Sequence, residues 1–303
     1  MPMAPERRTP TEPTTDEAAR AQIDHLLAQV RTERVAWSGG QVCWRGLGSG
    51  SPVVLVHGGH GSWLHWVRNI EALAAHHTVW AVDLPGFGDS DAPEGEGMAA
   101  LLAPTLATLN ALVGADTPLN LVGFSFGGLV AAQLAAQRPQ VQRLALLGSG
   151  GHQGRRRPKG ELVNWKPAWR ANDAAALAQA MRHNLAMHML SVDAPDIDAL
   201  ALRVHTDACV RTRFRSKEIS RSGGLAEALA HYGGPTCLAW GEHDVTADPP
   251  TMAAELAAPL RDARTQLVAH AGHWVQYERA DAINPLLLDW LGAVSARAPA
   301  PRG

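Results

Sequence analysis

Hydrophobic and polar positions follow two rhythms along this chain. Over residues 18–32 apolar side chains recur at helical spacing, with Ile23, Leu26, Leu27 and Val30 on one side. Beyond that point the pattern becomes short, non-alternating apolar runs separated by helical stretches. Residues 41–45 read as a short strand, and 52–56 as a β-branched run that stops at His57-Gly58-Gly59. Residues 63–75 read as a helix, and the strand 78–82 closes at Asp83-Leu84-Pro85-Gly86. A helix at 98–113, a strand at 119–122, a small-residue helix at 127–137 and a strand at 141–147 follow. Strands covered on both faces read as continuous apolar runs, so this pattern predicts a mostly parallel sheet with helices on both sides.

The alternation breaks after Gly151. Residues 152–222 contain helical stretches rich in Arg and His and no convincing strand. The pattern resumes with a strand at 236–240, a helix at 250–258, a strand at 265–268 and a closing helix at 282–291. The expected organisation is one α/β core, residues 18–151 and 223–294, carrying a helical insertion at 152–222. The polar ends, 1–17 and 295–303, read as disordered tails. No internal repeat is visible.

Composition narrows the class. Of 303 residues 46% are hydrophobic and 18% charged, enough apolar material for a sizeable core. A net charge of −2 provides no electrostatic footprint for nucleic acid or an anionic membrane. The local exception, Arg155-Arg156-Arg157 with Lys159, reads as a solvated loop rather than an anion site. Cys43, Cys209 and Cys237 are far apart and show neither metal nor redox spacing. An odd cysteine count without a disulfide framework, and an N-terminal stretch without an apolar segment, lead to the expectation of a cytoplasmic protein. No segment approaches the roughly 20 continuous apolar residues of a membrane span.

The segment with most chemical content is Gly123-Phe124-Ser125-Phe126-Gly127-Gly128, between a predicted strand and a predicted helix. G-x-S-x-G in that setting places a serine on a sharp turn, with small neighbours that let its hydroxyl project. A hydroxyl needs a base to act as nucleophile. Among 14 histidines, His273 in Ala271-Gly272-His273-Trp274 follows a strand and precedes the last helix, where such a base belongs. His57 competes, but its Gly58-Gly59-His60-Gly61 context suits a backbone-donor loop that the side chain braces. A carboxylate must orient the imidazole. Asp244, in Trp240-Gly241-Glu242-His243-Asp244, follows the first strand after the insertion; Glu242 and Asp248 are alternatives, and Asp83 reads as part of a structural turn. The order Ser, Asp, His is that of one serine-hydrolase architecture only. The N–H groups of Gly59 (His60 the alternative) and Phe126 are the expected oxyanion donors.

With these segments together, the chain resembles the α/β-hydrolase superfamily over about residues 53–291. The resemblance implies an eight-stranded, mostly parallel sheet, a helical lid inserted after the sixth strand, and acyl-enzyme chemistry without cofactor or metal. Gly272-His273-Trp274 and the His57 to Gly61 loop are similar to the meta-cleavage-product hydrolases, which split carbon–carbon bonds in ring-fission products. Those enzymes usually carry Asn before the nucleophile, where this chain has Phe124. They also use a lid arginine on the substrate, for which Arg203 is a candidate beside Arg211, Arg213 and Arg215; a solvated basic helix is the other reading. Haloalkane dehalogenases and epoxide hydrolases share the fold with Asp as nucleophile, and Ser125 disfavours their chemistry.

Three functions follow. The leading one is a carboxylic-ester hydrolase acting on a small-molecule substrate, with His60, Phe124, Trp274 and Arg203 as expected substrate contacts. The second is a carbon–carbon hydrolase of 2-hydroxy-6-oxo-dienoates, with or without esterase activity. The third is a non-catalytic small-molecule receptor on the same fold. Trp165 and Trp169 either line an acyl pocket or pack the lid. No nucleic-acid or membrane partner is expected, and a homodimer or larger homo-oligomer is left open.

Overall fold

A computed structural model describes residues 15–292. Most of the expected tails, 1–14 and 295–303, lies outside the described residues. The first helix, α1 (Asp16–Gln29), begins earlier than its apolar spacing suggests, because Thr15 caps it: the Thr15 hydroxyl accepts the Ala18 N–H at 3.2 Å, and Asp16 and Glu17 occupy the acidic first turn. Asp16 and Glu17 therefore belong to the folded part of the chain.

Eight strands form one sheet: β1 (Arg31–Trp37), β2 (Gly40–Leu47), β3 (Pro52–Val56), β4 (Thr78–Asp83), β5 (Leu119–Phe124), β6 (Val141–Leu147), β7 (Thr236–Gly241) and β8 (Ala263–Val268). Their spatial order is β1-β2-β4-β3-β5-β6-β7-β8. The β1–β2 and β2–β4 pairings are antiparallel, and all others are parallel. β1 is the strand that apolar patterning misses. It is an edge strand, exposed along most of its length, so its Arg-Thr-Glu-Arg sequence carries no burial signal. The helical spacing expected to reach residue 32 stops at Gln29, and Arg31 and Thr32 pair with Gly46 and Arg45.

Helices α2 (Ile70–Ala74), α3 (Gly97–Val113) and α4 (Phe126–Gln137) precede β6; α5 (Lys166–Arg170), α6 (Ala174–Asn184), α7 (Ala199–Arg211), α8 (Lys217–Arg221) and α9 (Leu225–Tyr232) lie between β6 and β7; α10 (Pro249–Ala257), α11 (Val275–Glu278) and α12 (Ala280–Leu291) follow β7 among the described residues. The helix expected at 63–75 is broken into a 3₁₀ turn, Trp63–Trp66, and α2. Asn69 causes the break: its side-chain amide donates to Gln276 O at 3.0 Å and Asn284 Oδ1 at 2.7 Å, which holds its backbone outside helical geometry.

Two apolar layers cover the sheet. On one face Ile23, Leu26, Trp66, Leu73 and Leu287 pack against Val53, Leu55 and Ala145; on the other Leu101, Leu109, Leu129 and Leu229 pack against Val54, Val56 and Leu146. This double cover is why β3, β5 and β7 are buried at nearly every position. The carboxyl ends of β3, β5, β7 and β8 consequently open at one edge, and residues of α6, α7 and α8 line the cavity there.

Candidate active site

Ser125 sits between β5 and α4 with φ 54° and ψ −120°, a conformation that non-glycine residues rarely adopt. The turn is possible because its neighbours lack Cβ atoms. A Cβ on Gly127 would meet His57 O at 2.2 Å and Val56 O at 2.4 Å, and one on Gly123 would meet Gly127 O at 2.4 Å. These are backbone atoms of the packed sheet and cannot swing aside. Ser125 N–H donates to Leu147 O at 2.9 Å, which ties the turn to β6.

The three residues singled out from separate strand ends meet here. His273 Nε2 lies 2.8 Å from Ser125 Oγ, and His273 Nδ1 lies 2.8 Å from Asp244 Oδ2. His273 and Asp244 are buried, at 3% and 1% exposure, so their interaction is shielded from water. Burial alone works to raise the Asp244 carboxyl, but the His273 charge and hydrogen bond, with the Thr246 N–H and hydroxyl, outweigh it and hold Asp244 below its ordinary value. Glu242 accepts the His270 N–H at 3.1 Å and Asp248 pairs with Arg157 at 3.4 Å, so neither competes for the imidazole.

The loop after β3 is braced from within. His57 Nε2 accepts the Leu84 N–H at 3.0 Å, which puts the ring proton on Nδ1, 2.7 Å from Gly58 O. His65 Nδ1 accepts the Gly58 N–H at 3.2 Å. Burial drives the His57 imidazole down to about 4 and His65 well below its usual value, so both are fixed neutral braces. Gly59 faces the cavity beneath Ser216 Oγ, which a Cβ there would approach to 2.7 Å. Phe126 begins α4, and the first N–H of a helix has no intrahelical acceptor. Gly59, Phe126 and Ser125 all line one cavity of about 430 Å³.

The remaining expected contacts divide. His60 and Phe124 line the cavity, and the Phe124 ring lies 5.0 Å from the His273 ring. Trp274 does not line it. Its indole is fully buried, donates to His65 O at 3.0 Å and stacks on Tyr277 at 4.2 Å, so it packs the core behind the histidine. Arg203 is also elsewhere: it pairs with Asp16 at 2.7 Å, on the side of α7 that faces α1. Arg211 pairs with Asp89, and Arg213 donates to Ser90 O. Trp165 lines the cavity, whereas Trp169 is 45% exposed.

The basic run at 155–159 is more than a solvated loop. Arg157 donates to Ala247 O at 3.1 Å and Glu242 O at 3.2 Å, covering the turn that presents Asp244. Lys159 donates to Ala186 O at 3.2 Å and Leu190 O at 2.9 Å, while Arg156 lines the cavity. Carbonyls left unpaired at the ends of β7 and of a helix draw these cations in, a tertiary demand with no mark in the sequence.

Sequence reasoning passes over two histidines of the insertion, His188 and His205, both on the cavity wall. Burial takes the His188 imidazole down to about 3 and His205 to about 4. Cys209 Sγ lies 3.6 Å from His205 Nε2, but burial pushes the thiol up to about 12, so this pair stays neutral and supplies no thiolate. Among the described residues, the group of potential ligand atoms close enough to share an ion is Cys43, Asp83 and Asp89. The Arg45 guanidinium lies among them, donating to Cys43 and Asp89. No helix among the described residues is long and apolar enough to cross a membrane.

The chain is similar to known proteins over most of its length. The family model for the alpha/beta hydrolase fold matches residues 51–280. The dihydrolipoyllysine-residue acetyltransferase component of the acetoin cleaving system of Pseudomonas putida is 28% identical over 309 aligned residues, spanning 91% of this chain and 77% of that protein. A 2-hydroxy-6-oxononadienedioate/2-hydroxy-6-oxononatrienedioate hydrolase of Cupriavidus pinatubonensis is 30% identical over 259 residues, spanning 79% of this chain and 86% of the relative. Among solved structures, a bacterial membrane phospholipase A superposes with a TM-score of 0.71 at 24% identity, covering 92% of this chain and 91% of the other, a likeness of fold.

Proposed function

We propose an ester-cleaving serine hydrolase: the chain belongs to the α/β-hydrolase fold family, and its Ser125 site has the parts that acyl transfer to water requires. Ser125 Oγ attacks the ester carbonyl as His273 Nε2 takes its proton. Asp244 holds the imidazole by Nδ1 and stabilises the imidazolium that forms. The N–H groups of Phe126 and Gly59 receive the oxyanion. His273 then protonates the departing alkoxide, leaving an acyl group on Ser125. In the second half His273 deprotonates a water, the water attacks the acyl carbon, and collapse releases the acid and returns the proton to Ser125.

The observation that carries this reading is the pair of 2.8 Å contacts linking Ser125, His273 and Asp244 at the wall of a cavity. The preference for esters over dienoates rests on Phe124, which presents an apolar ring beside His273. It rests also on Trp274 and Arg203, which lie outside the cavity. The dienoate-hydrolase relative favours carbon–carbon cleavage as the second reading, with Arg156, Lys217 and Arg221 as the cations on the cavity wall.

One preparation assayed against short p-nitrophenyl esters and against ring-fission dienoates tests both. Ester turnover that disappears in Ser125→Ala supports the first reading. Ester turnover unchanged in that variant overturns it, and turnover of dienoates alone favours the second.

A further inference from the structure

One wall of the cavity has an uncommon construction. Helix α6 does not end at Asn184 but widens into a π-helical turn, Leu185–Met189, in which Leu190 N–H donates to Leu185 O at 2.9 Å, five residues back. Such turns cost regular hydrogen bonding and recur where a side chain must be re-aimed. This one is supported on both sides. The Asn184 side chain exchanges hydrogen bonds with Val163 N at 2.8 Å and Val163 O at 2.9 Å, and Lys159 Nζ takes the carbonyls of Ala186 and Leu190.

The residue so aimed is His188. Its ring centroid lies 5.6 Å from that of His273, it lines the cavity, and among the described residues its ring nitrogens have no hydrogen-bond partner. The imidazole is only partly covered and meets the cavity, so its nitrogens are open to a ligand that enters. Burial and the neighbouring His273 keep it uncharged at neutral pH, so it can donate from one nitrogen and accept at the other. A site built around an unpaired polar group discriminates strongly for a ligand that pairs it.

We propose that His188 is a specificity-determining residue whose imidazole hydrogen-bonds a hydroxyl or keto oxygen carried by the substrate close to the scissile bond. The inference rests on the ester reading for its reaction but not for its binding. The preferred substrates are oxygenated esters rather than plain alkyl esters. His188 makes no hydrogen bond to Ser125 or Asp244, but its ring packs beside that of His273, so the readout is the ratio of rates between paired substrates and not the basal rate.

The test compares kcat/KM for ethyl 3-hydroxybutyrate against ethyl butyrate, which probes the acyl side. A second arm, 2-hydroxyethyl butyrate against propyl butyrate, probes the alcohol side. The expected result is a preference of about tenfold for the hydroxylated member in at least one arm. That preference falls to near unity in His188→Phe, carried by a rise in KM on the hydroxylated substrate relative to its plain counterpart. His188→Gln, which retains a donor and an acceptor, restores part of it. In parallel, the His188 imidazole NMR signals are followed while 3-hydroxybutyrate or butyrate is added to the intact protein. A shift specific to the hydroxy acid is expected. No preference in either arm, or one that persists in His188→Phe, overturns the proposal while ester turnover leaves the catalytic reading standing. Failure to hydrolyse any ester, with the hydroxy-acid shift present, overturns the catalytic reading and keeps this one.

Discussion

Thr246 and Asp244 are joined twice: the Thr246 N–H and its hydroxyl both donate to Asp244 Oδ1, each at 2.7 Å. The other carboxylate oxygen is thereby left facing His273 Nδ1. Hydrogen bonds to a charged acceptor are worth about 1.5–3 kcal/mol each. Thr246→Val removes the hydroxyl and keeps the N–H, so kcat/KM on an ester is expected to fall roughly tenfold with the fold preserved by circular dichroism. An unchanged rate would mean that the hydroxyl does not hold the carboxylate in place.

Asp244→Asn keeps the shape of the site but permits the wrong imidazole tautomer. The expected loss in kcat is on the order of 10⁴, with little change in KM. A loss below tenfold would remove Asp244 from the relay and reopen the choice between Glu242 and Asp248.

Acid should destabilise this protein before its carboxylates titrate. Burial holds His57 and His205 at about 4 and His188 at about 3, against 6.5 when unfolded. The unfolded chain therefore binds protons that the folded one refuses, and stability is full above about pH 6.5 and declines as pH falls toward 4. For His57 and His205 this amounts to on the order of 3 kcal/mol each. Asp244, held low, adds to the loss below its ordinary 3.8, whereas Asp83, raised by burial, acts with the opposite sign. Urea midpoints measured from pH 7.5 to 4.5 should drop steadily; a flat profile across that range would contradict the buried neutral histidines.

Gly127→Ala places a methyl 2.2 Å from His57 O, inside the sheet-to-helix contact. Loss of more than about 3 kcal/mol of stability is expected, the scale of overpacking against an unyielding backbone. A urea midpoint within error of the parent would show that the turn can shift.

Arg203→Ala tests the corrected position of that arginine. Its partner Asp16 is 58% exposed, so the pair contributes at most about 1 kcal/mol. Ester kcat/KM is expected to stay within twofold. A tenfold rise in KM would return Arg203 to the substrate.

What the sequence determined by itself is the frame and the order of the chemistry. Apolar runs such as 52–56 and 141–147 coincide with β3 and β6 because strands buried on both faces write their burial into consecutive residues. Gly123 to Gly128 announces its turn because only glycine fits against backbone at 2.2–2.4 Å. What tertiary structure decided is which side chains face the cavity. β1 escaped because an exposed edge strand needs no apolar pattern, and the break before α2 because the partners of Asn69 lie more than 200 residues away. Trp274 and Arg203 read as substrate contacts through the resemblance to meta-cleavage-product hydrolases, yet packing turned one into the core and the other toward α1. His188 had no motif to mark it, since a π-helical turn and its distant supports aim it at His273. Local burial leaves a periodic trace in a sequence; the direction of a single side chain depends on contacts between distant segments and leaves none.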